Sequence, residues 1–147
     1  MPITIRAANE ADVPSLLALY SELHPDDPPL PPDAAAATWR DIAAQAGRTV
    51  LVAEPDGTVA GTADCTVLPN LTRGARPFLL IENVVVAGAY RRRGVGAALM
   101  EASIAIARAA GCYKAQLLSR DSRSAAHAFY EACGFRRLAQ GFRLYLD

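Results

Sequence analysis

Phe78 to Arg108 reads FLLIENVVVAGAYRRRGVGAALMEASIAIAR, and this stretch decides the fold. It opens with an apolar run to Val86, interrupted by Glu82 and Asn83 and closed by three consecutive valines. Branched side chains of this kind suit a pleated, largely buried strand. A short turn, Ala87 to Tyr90, leads to Arg91, Arg92 and Arg93 and then to Gly94-Val95-Gly96. From there Val95, Ala98, Leu99, Ala102, Ile106 and Ala109 recur at helical spacing, with Gly111 placed as a stop.

Strand, basic glycine turn and helix together make an anion site. Glycines remove the β-carbons that keep a ligand off the backbone, and they tolerate positive φ. The first turn of the helix offers unpaired N–H groups and the positive end of its dipole. Three arginines in that place conflict with the dipole unless an anion is bound. A solvated basic loop is the plainer alternative.

Two familiar phosphate motifs fail on spacing. No Lys-Ser or Lys-Thr follows the glycines, as a P-loop requires, and Leu99 stands where a dinucleotide fingerprint needs its third glycine. The remaining pattern, Arg91-Arg92-Arg93-Gly94-Val95-Gly96, resembles the pyrophosphate-binding Arg-x-x-Gly-x-Gly motif of the GNAT superfamily of coenzyme A-dependent N-acetyltransferases.

The whole chain is consistent with one compact domain, 1–147, with 52% hydrophobic residues. Fifteen basic residues balance fifteen acidic ones, so no global field favours nucleic acid or an anionic membrane. No apolar run approaches membrane-spanning length, and Met1-Pro2-Ile3-Thr4 lacks the layout of a signal peptide. Cys65, Cys112 and Cys133 match no zinc spacing, so no metal is expected; they fit a reducing interior, with the cytoplasm as the expected compartment.

In chain order, Ile3 and Ile5 alternate with polar neighbours as a short strand, and Asn9, three residues before Asp12, is set to cap a helix through Leu23. Five prolines between His24 and Pro32 make a stiff loop, after which Asp33 is set to cap a helix over Ala34 to Ala46. Thr49 to Glu54 and Thr58 to Leu68 form a hairpin about Pro55-Asp56-Gly57, and Asn70 to Pro77 is a polar loop. Beyond the central helix come a strand over Tyr113 to Ser119 and a helix capped by Asp121 or Ser122 and stopped at Gly134. Phe135 to Leu138 and Phe142 to Leu146 are candidate closing strands. The expected class is α/β (α+β), in the order β-α-α-β-β-β-α-β-α-β-β, with a mixed sheet and helices packed on it.

That order is similar to the GNAT fold across essentially the whole chain. The resemblance implies a mostly antiparallel sheet of about six or seven strands and about four helices. A second motif adds to it: Ala126-His127-Ala128-Phe129-Tyr130-Glu131-Ala132-Cys133-Gly134-Phe135 resembles the family's A-x-x-F-Y-x-x-x-G-F signature. The resemblance implies a central strand splayed at a bulge, with backbone groups of Val84, Val85 and Val86 free for the pantetheine arm of acetyl-CoA. It sets Arg91, Arg92, Arg93, Gly94, Val95, Gly96 and Ala97 around the pyrophosphate. Arg123 stands where many members carry asparagine, and it is a candidate for a phosphate or the adenosine end.

The implied reaction is acetyl transfer to a primary amine by direct attack in a ternary complex. Tyr130 then has a task, because a phenol with a pKa of about 10 stays protonated at neutral pH and can give a proton to the departing thiolate. A core aromatic, like neighbouring Phe129, is the plainer reading. Glu82 is the candidate base: freeing an alkylamine of its proton at pH 7 costs about 4 kcal/mol, and a carboxylate desolvated in an apolar strand suits proton traffic. Glu82 facing solvent or pairing with an arginine is equally open. Asp26 and Asp27 in the proline loop would favour a cationic acceptor, which is otherwise any small-molecule or peptide amine. The competing readings are a non-catalytic acyl-CoA-binding or sensor module and a transferase of longer acyl groups. A homodimer is the assembly the resemblance suggests.

Overall fold

The computed structural model describes residues 2–119 and 123–147. It divides into two compact units, Met1–Gln116 and Leu117–Asp147. In the first unit β1 (Thr4–Ala7), α1 (Val13–Leu23), α2 (Pro32–Ala44), β2 (Arg48–Glu54) and β3 (Gly61–Leu68) are followed by α3 (Thr72–Ala75), β4 (Phe78–Val86), α4 (Val95–Ala109) and β5 (Ala115–Gln116). The strands form one sheet in the order β1-β2-β3-β4-β5, antiparallel except for the parallel β4–β5 pair. The expected mixed, mostly antiparallel sheet is therefore present.

The sheet is covered on both sides, which is why β2 and β4 carry apolar runs rather than strict alternation. On one face α4 sets Val95, Leu99 and Met100 into the core, all at most 1% exposed, and Ser103 beside Cys65. On the other face Leu16 packs on Val50 and Val52, with Tyr20, Trp39 and Ile42 around them. Gly61 lets α4 come close. A Cβ there would lie 3.0 Å from Val95 Cγ1, 3.1 Å from Leu99 Cδ1 and 3.3 Å from the Val85 carbonyl oxygen.

The capping box at Asn9 forms as the spacing predicts: the Asn9 side chain accepts from Ala11 N–H at 2.9 Å, and Asp12 accepts from Asn9 N–H at 2.8 Å. Asp12 is also held by Arg6, whose Nη1 and Nη2 reach its two oxygens at 2.7 and 2.9 Å. The second helix starts earlier than the Asp33 cap implied. Proline's fixed φ suits the first helical position, so Pro32 opens α2 and Asp33 falls in its first turn, where a negative charge suits the dipole.

The second unit holds α5 (Ser124–Ala132), with Cys133 as C-cap and Gly134 at φ +97°, the left-handed stop its sequence foretold. The expected caps Asp121 and Ser122 lie outside the described residues. The strand count needs correction from six or seven to five. Phe135 to Leu138 and Phe142 to Leu146 carry strand-like residues but join no ladder among the described residues, and β5 is two residues long rather than seven. Propensity describes a side chain's fit to a pleat; a strand also needs a neighbouring backbone to pair with. No helix among the described residues is long and apolar enough to cross a membrane.

Candidate active site

The site begins at a break in the central ladder. Asp64 pairs with Glu82 and Thr62 with Val85, so two residues of β4, Asn83 and Val84, stand against Ala63 alone. This is a β-bulge, and it sits where an asparagine can take the left-handed backbone it needs: Asn83 has φ +52°. The bulge shifts the alternation by one, so Val85 follows Glu82 onto the α1/α2 face. Ala87 N–H donates to the Ala60 carbonyl at 2.8 Å, which turns the backbone of Val85 toward β3 and those of Val84 and Val86 the other way.

On that other side β5 accompanies β4 only opposite Leu79 and Leu80. Past this point the edge of β4 has no strand beside it among the described residues. The Val86 carbonyl accepts from Arg91 Nε at 3.3 Å.

The edge runs into the glycine turn. Gly94 caps α4 with φ +81°, and the first N–H of the helix to find an acceptor is that of Ala98, bonded to the Gly94 carbonyl at 3.0 Å. Among the described residues the N–H groups of Val95, Gly96 and Ala97 meet no acceptor, as the first turn of a helix leaves them. The turn is moored from two directions. Gly88 N–H donates to Glu22 Oε1 at 2.9 Å, and the Tyr90 hydroxyl donates to Asp56 Oδ2 at 2.7 Å. Arg93 lies over the Tyr90 ring, 5.6 Å from its centroid. The three arginines are thus not equivalent: Arg91 folds back on β4 and Arg93 stacks on the turn.

A pocket of about 310 Å³ opens on the α1/α2 face beside the bulge, lined by Arg48, Asp64, Thr66, Leu80, Glu82 and Asn83 among others. Arg48 Nε and Nη2 donate to the two oxygens of Asp64 at 3.0 and 2.5 Å, and its Nη1 donates to Gln45 Oε1 at 3.1 Å. Asp64 is 4% exposed. Its hydrogen bonds raise the Arg48 guanidinium further above its already high value. Burial, and after it the Asp64 charge, push the Tyr20 phenol up.

Glu82, in register with Asp64, is exposed, and no hydrogen bond or ion pair to its carboxylate occurs among the described residues. The expectation of a desolvated carboxylate is corrected on that point. An interior position on an apolar strand does not bury a side chain when the pleat turns it into an open pocket. The Arg48–Asp64 pair escaped the sequence reading, although an aspartate inside the strand GTADCTVL was a visible signal.

The remaining candidates, Arg123 and Tyr130, lie in the second unit. Arg123 is the N-cap residue of α5 and makes no side-chain cap. Tyr130 is edge-on to Phe129 and Phe135, with ring centroids 5.2 and 6.1 Å apart. Burial pushes its phenol above the ordinary value, with Arg123 pulling the other way. The thiols are free: burial raises Cys65, which donates to Ser103 Oγ at 3.3 Å, and Cys112 and Cys133 are half-buried. Among the described residues no group of three His, Cys, Asp or Glu is arranged to hold a metal.

The sequence profile of the Acetyltransferase (GNAT) family matches residues 15–135. A glucosamine 6-phosphate N-acetyltransferase of Trypanosoma brucei brucei is 36% identical over 144 residues, which span 97% of this chain and 95% of that one. An aminoglycoside N(6')-acetyltransferase type 1 of Stenotrophomonas maltophilia is 33% identical over 90% of this chain and 85% of its own. A solved structure from Agrobacterium tumefaciens, named as an acetyltransferase, is 44% identical with a TM-score of 0.93, covering 97% of this chain and 99% of that chain.

Proposed function

Because the chain belongs to the GNAT acetyltransferase family and is an acyltransferase of that kind, we propose that it moves an acetyl group from acetyl-CoA to the primary amine of a small polar acceptor. The observation that carries this reading is one continuous polar seam. Past Leu80 the edge of β4 has no strand beside it among the described residues, and it leads through the glycine turn to the N–H groups of Val95, Gly96 and Ala97. Backbone donors and acceptors left without a partner along this line are available to a ligand. A pantetheine arm laid along Val84 and Val86 supplies one, and a diphosphate at the helix mouth meets both open amides and a favourable dipole. Val85 faces β3 and contributes shape rather than hydrogen bonds. Arg91, Arg92 and Arg93 are the candidates for phosphate, Arg91 also holding the Val86 carbonyl and Arg93 bracing the turn. Arg123 remains a candidate for the outer phosphates or adenosine.

The acceptor enters from the pocket on the opposite face, where Glu82 meets its amine. An exposed carboxylate can hold the ammonium and take its proton directly or through water. The amine then attacks the thioester carbon in a ternary complex, the thiolate leaves, and Tyr130 gives it a proton. A phenol raised by burial keeps that proton at neutral pH. Relatives named for glucosamine 6-phosphate and aminoglycoside acetylation support an amino sugar as acceptor.

We read 1–147 as one transferase domain, since the family match spans both units. A homodimer is supported by the second unit's apolar surface: Leu138, Phe142, Leu144, Tyr145 and Leu146 are 66–94% exposed. Three free thiols suit a reducing, cytoplasmic setting.

The test is thiol release from acetyl-CoA across an amine panel. Tyr130→Phe should lower kcat by about a hundredfold or more while acetyl-CoA still binds. Binding with no amine ever consumed would favour the non-catalytic reading, and unchanged turnover in Tyr130→Phe would remove the phenol from the mechanism.

A further inference from the structure

The acceptor pocket has an unusual charge arrangement. Two carboxylates, Asp64 and Glu82, face each other across the β3–β4 ladder, and Arg48 is the one cation among the described lining residues. That cation is already engaged. Asp64 takes its Nε/Nη2 fork with both oxygens and Gln45 takes a third of its five N–H groups, so its charge is offset and its bidentate side is occupied. What is left over is the single negative charge of Glu82. An ammonium group entering the pocket gains from it. A phosphate entering the same pocket meets a carboxylate and a guanidinium that must first be pulled from its buried partner.

Taking the transferase reading as its basis, we infer that the pocket selects unphosphorylated, cationic amines. Asp64 enforces the choice as a positioning residue, by holding Arg48 away from any anionic acceptor. The polar atoms around the pair, Gln45, Thr66 and Asn83, then meet hydroxyl groups rather than a phosphate. A neutral polyol bearing one ammonium, or a sugar bearing several, matches this lining; a sugar phosphate does not. Asp64 touches neither the thioester nor the amine in this account, and acts through what it denies to Arg48.

The experiment compares kcat/KM for two matched pairs: glucosamine with glucosamine 6-phosphate, and ethanolamine with phosphoethanolamine. The wild-type chain should favour the unphosphorylated member of each pair by at least about tenfold. Asp64→Asn releases Arg48 and should move that ratio toward the phosphorylated member by about tenfold, a change of preference that mere loss of structure does not produce. Should Asp64→Asn not fold, Thr66→Lys adds a cation to the same wall and should move the ratio the same way. Equal or better use of the phosphorylated members by the wild type overturns the inference. So does a ratio that neither variant moves, or a failure to acetylate any of the four amines. Calorimetry with acetyl-CoA separates the levels. Heat with the wrong acceptor preference removes only this inference, whereas no heat removes the transferase reading along with it.

Discussion

Gly61 offers a way to test how α4 is seated. Replacing a glycine by alanine ordinarily stabilises a protein by about 0.4–1 kcal/mol where the backbone permits it, because the unfolded chain loses freedom. Here the added methyl would lie 3.0 Å from Val95 Cγ1, 3.1 Å from Leu99 Cδ1 and 3.3 Å from the Val85 oxygen. Val95 and Leu99 are at most 1% exposed and belong to the first turns of α4, so neither has free space to swing into. The relief left is a shift of α4 itself by a few tenths of an ångström. Overpacking of this kind costs about 1–3 kcal/mol, which set against the entropic gain leaves a net loss of up to about 2.5 kcal/mol. The melting temperature should fall by about 2–4 °C per kcal/mol. Because the displaced turn carries the Val95, Gly96 and Ala97 amides, acetyl-CoA should also bind more weakly. Differential scanning fluorimetry and calorimetry read the two effects on one preparation. A Gly61→Ala protein at least as stable as the wild type, with unchanged affinity, would mean the close approach of α4 to β3 does not govern the site.

Three further outcomes follow from the same contacts. Arg6 lowers the Asp12 carboxyl below its ordinary 3.8, so this contribution is present above about pH 3.8 and is lost as pH falls through the folded-state value. Asp12→Asn should therefore be less stable than the wild type by about 1–3 kcal/mol at pH 7, with the gap closing in acid, as denaturant titrations at each pH would show. Gly94→Val forces a branched residue to φ +81°, with only Ile3 Cδ1 at 4.0 Å near the new Cβ, so the damage is conformational rather than steric. It should weaken acetyl-CoA binding and lower the melting temperature by about 2–8 °C; unchanged affinity would argue against the helix mouth as the diphosphate site. Tyr90→Phe cuts the tie to Asp56 and should raise the KM for acetyl-CoA by about two- to tenfold without changing kcat. A fall in kcat alone would contradict a mooring role.

Much of the fold was legible because local rules and tertiary structure agree. Three valines in β4, the Asn9–Asp12 box and the glycines at 94, 111 and 134 each mark their element from sequence alone. Val84 to Val86 and Arg91 to Ala97 follow one another from β4 through the turn to α4 because a strand, a turn and a helix adjacent in sequence are adjacent in space. What stayed hidden depends on partners distant in the chain. Arg48 and Asp64 meet only once the β2–β3 register is fixed, and Gly61 reveals its purpose only when α4 lies on it. The run Arg73-Gly74 in α3 is left-handed at φ +54° and +69°, a conformation that propensity does not foresee for arginine. The segment Phe142 to Leu146 shows the reverse failure, alternation without a neighbouring backbone to pair with among the described residues.

The central claim, that the open edge of β4 and the mouth of α4 together hold acetyl-CoA, is tested most directly by backbone amide NMR during a coenzyme A titration. The account predicts that the largest shifts fall on Val84, Val86, Val95, Gly96 and Ala97. Saturable binding that leaves these five amides unmoved and perturbs another region would contradict it.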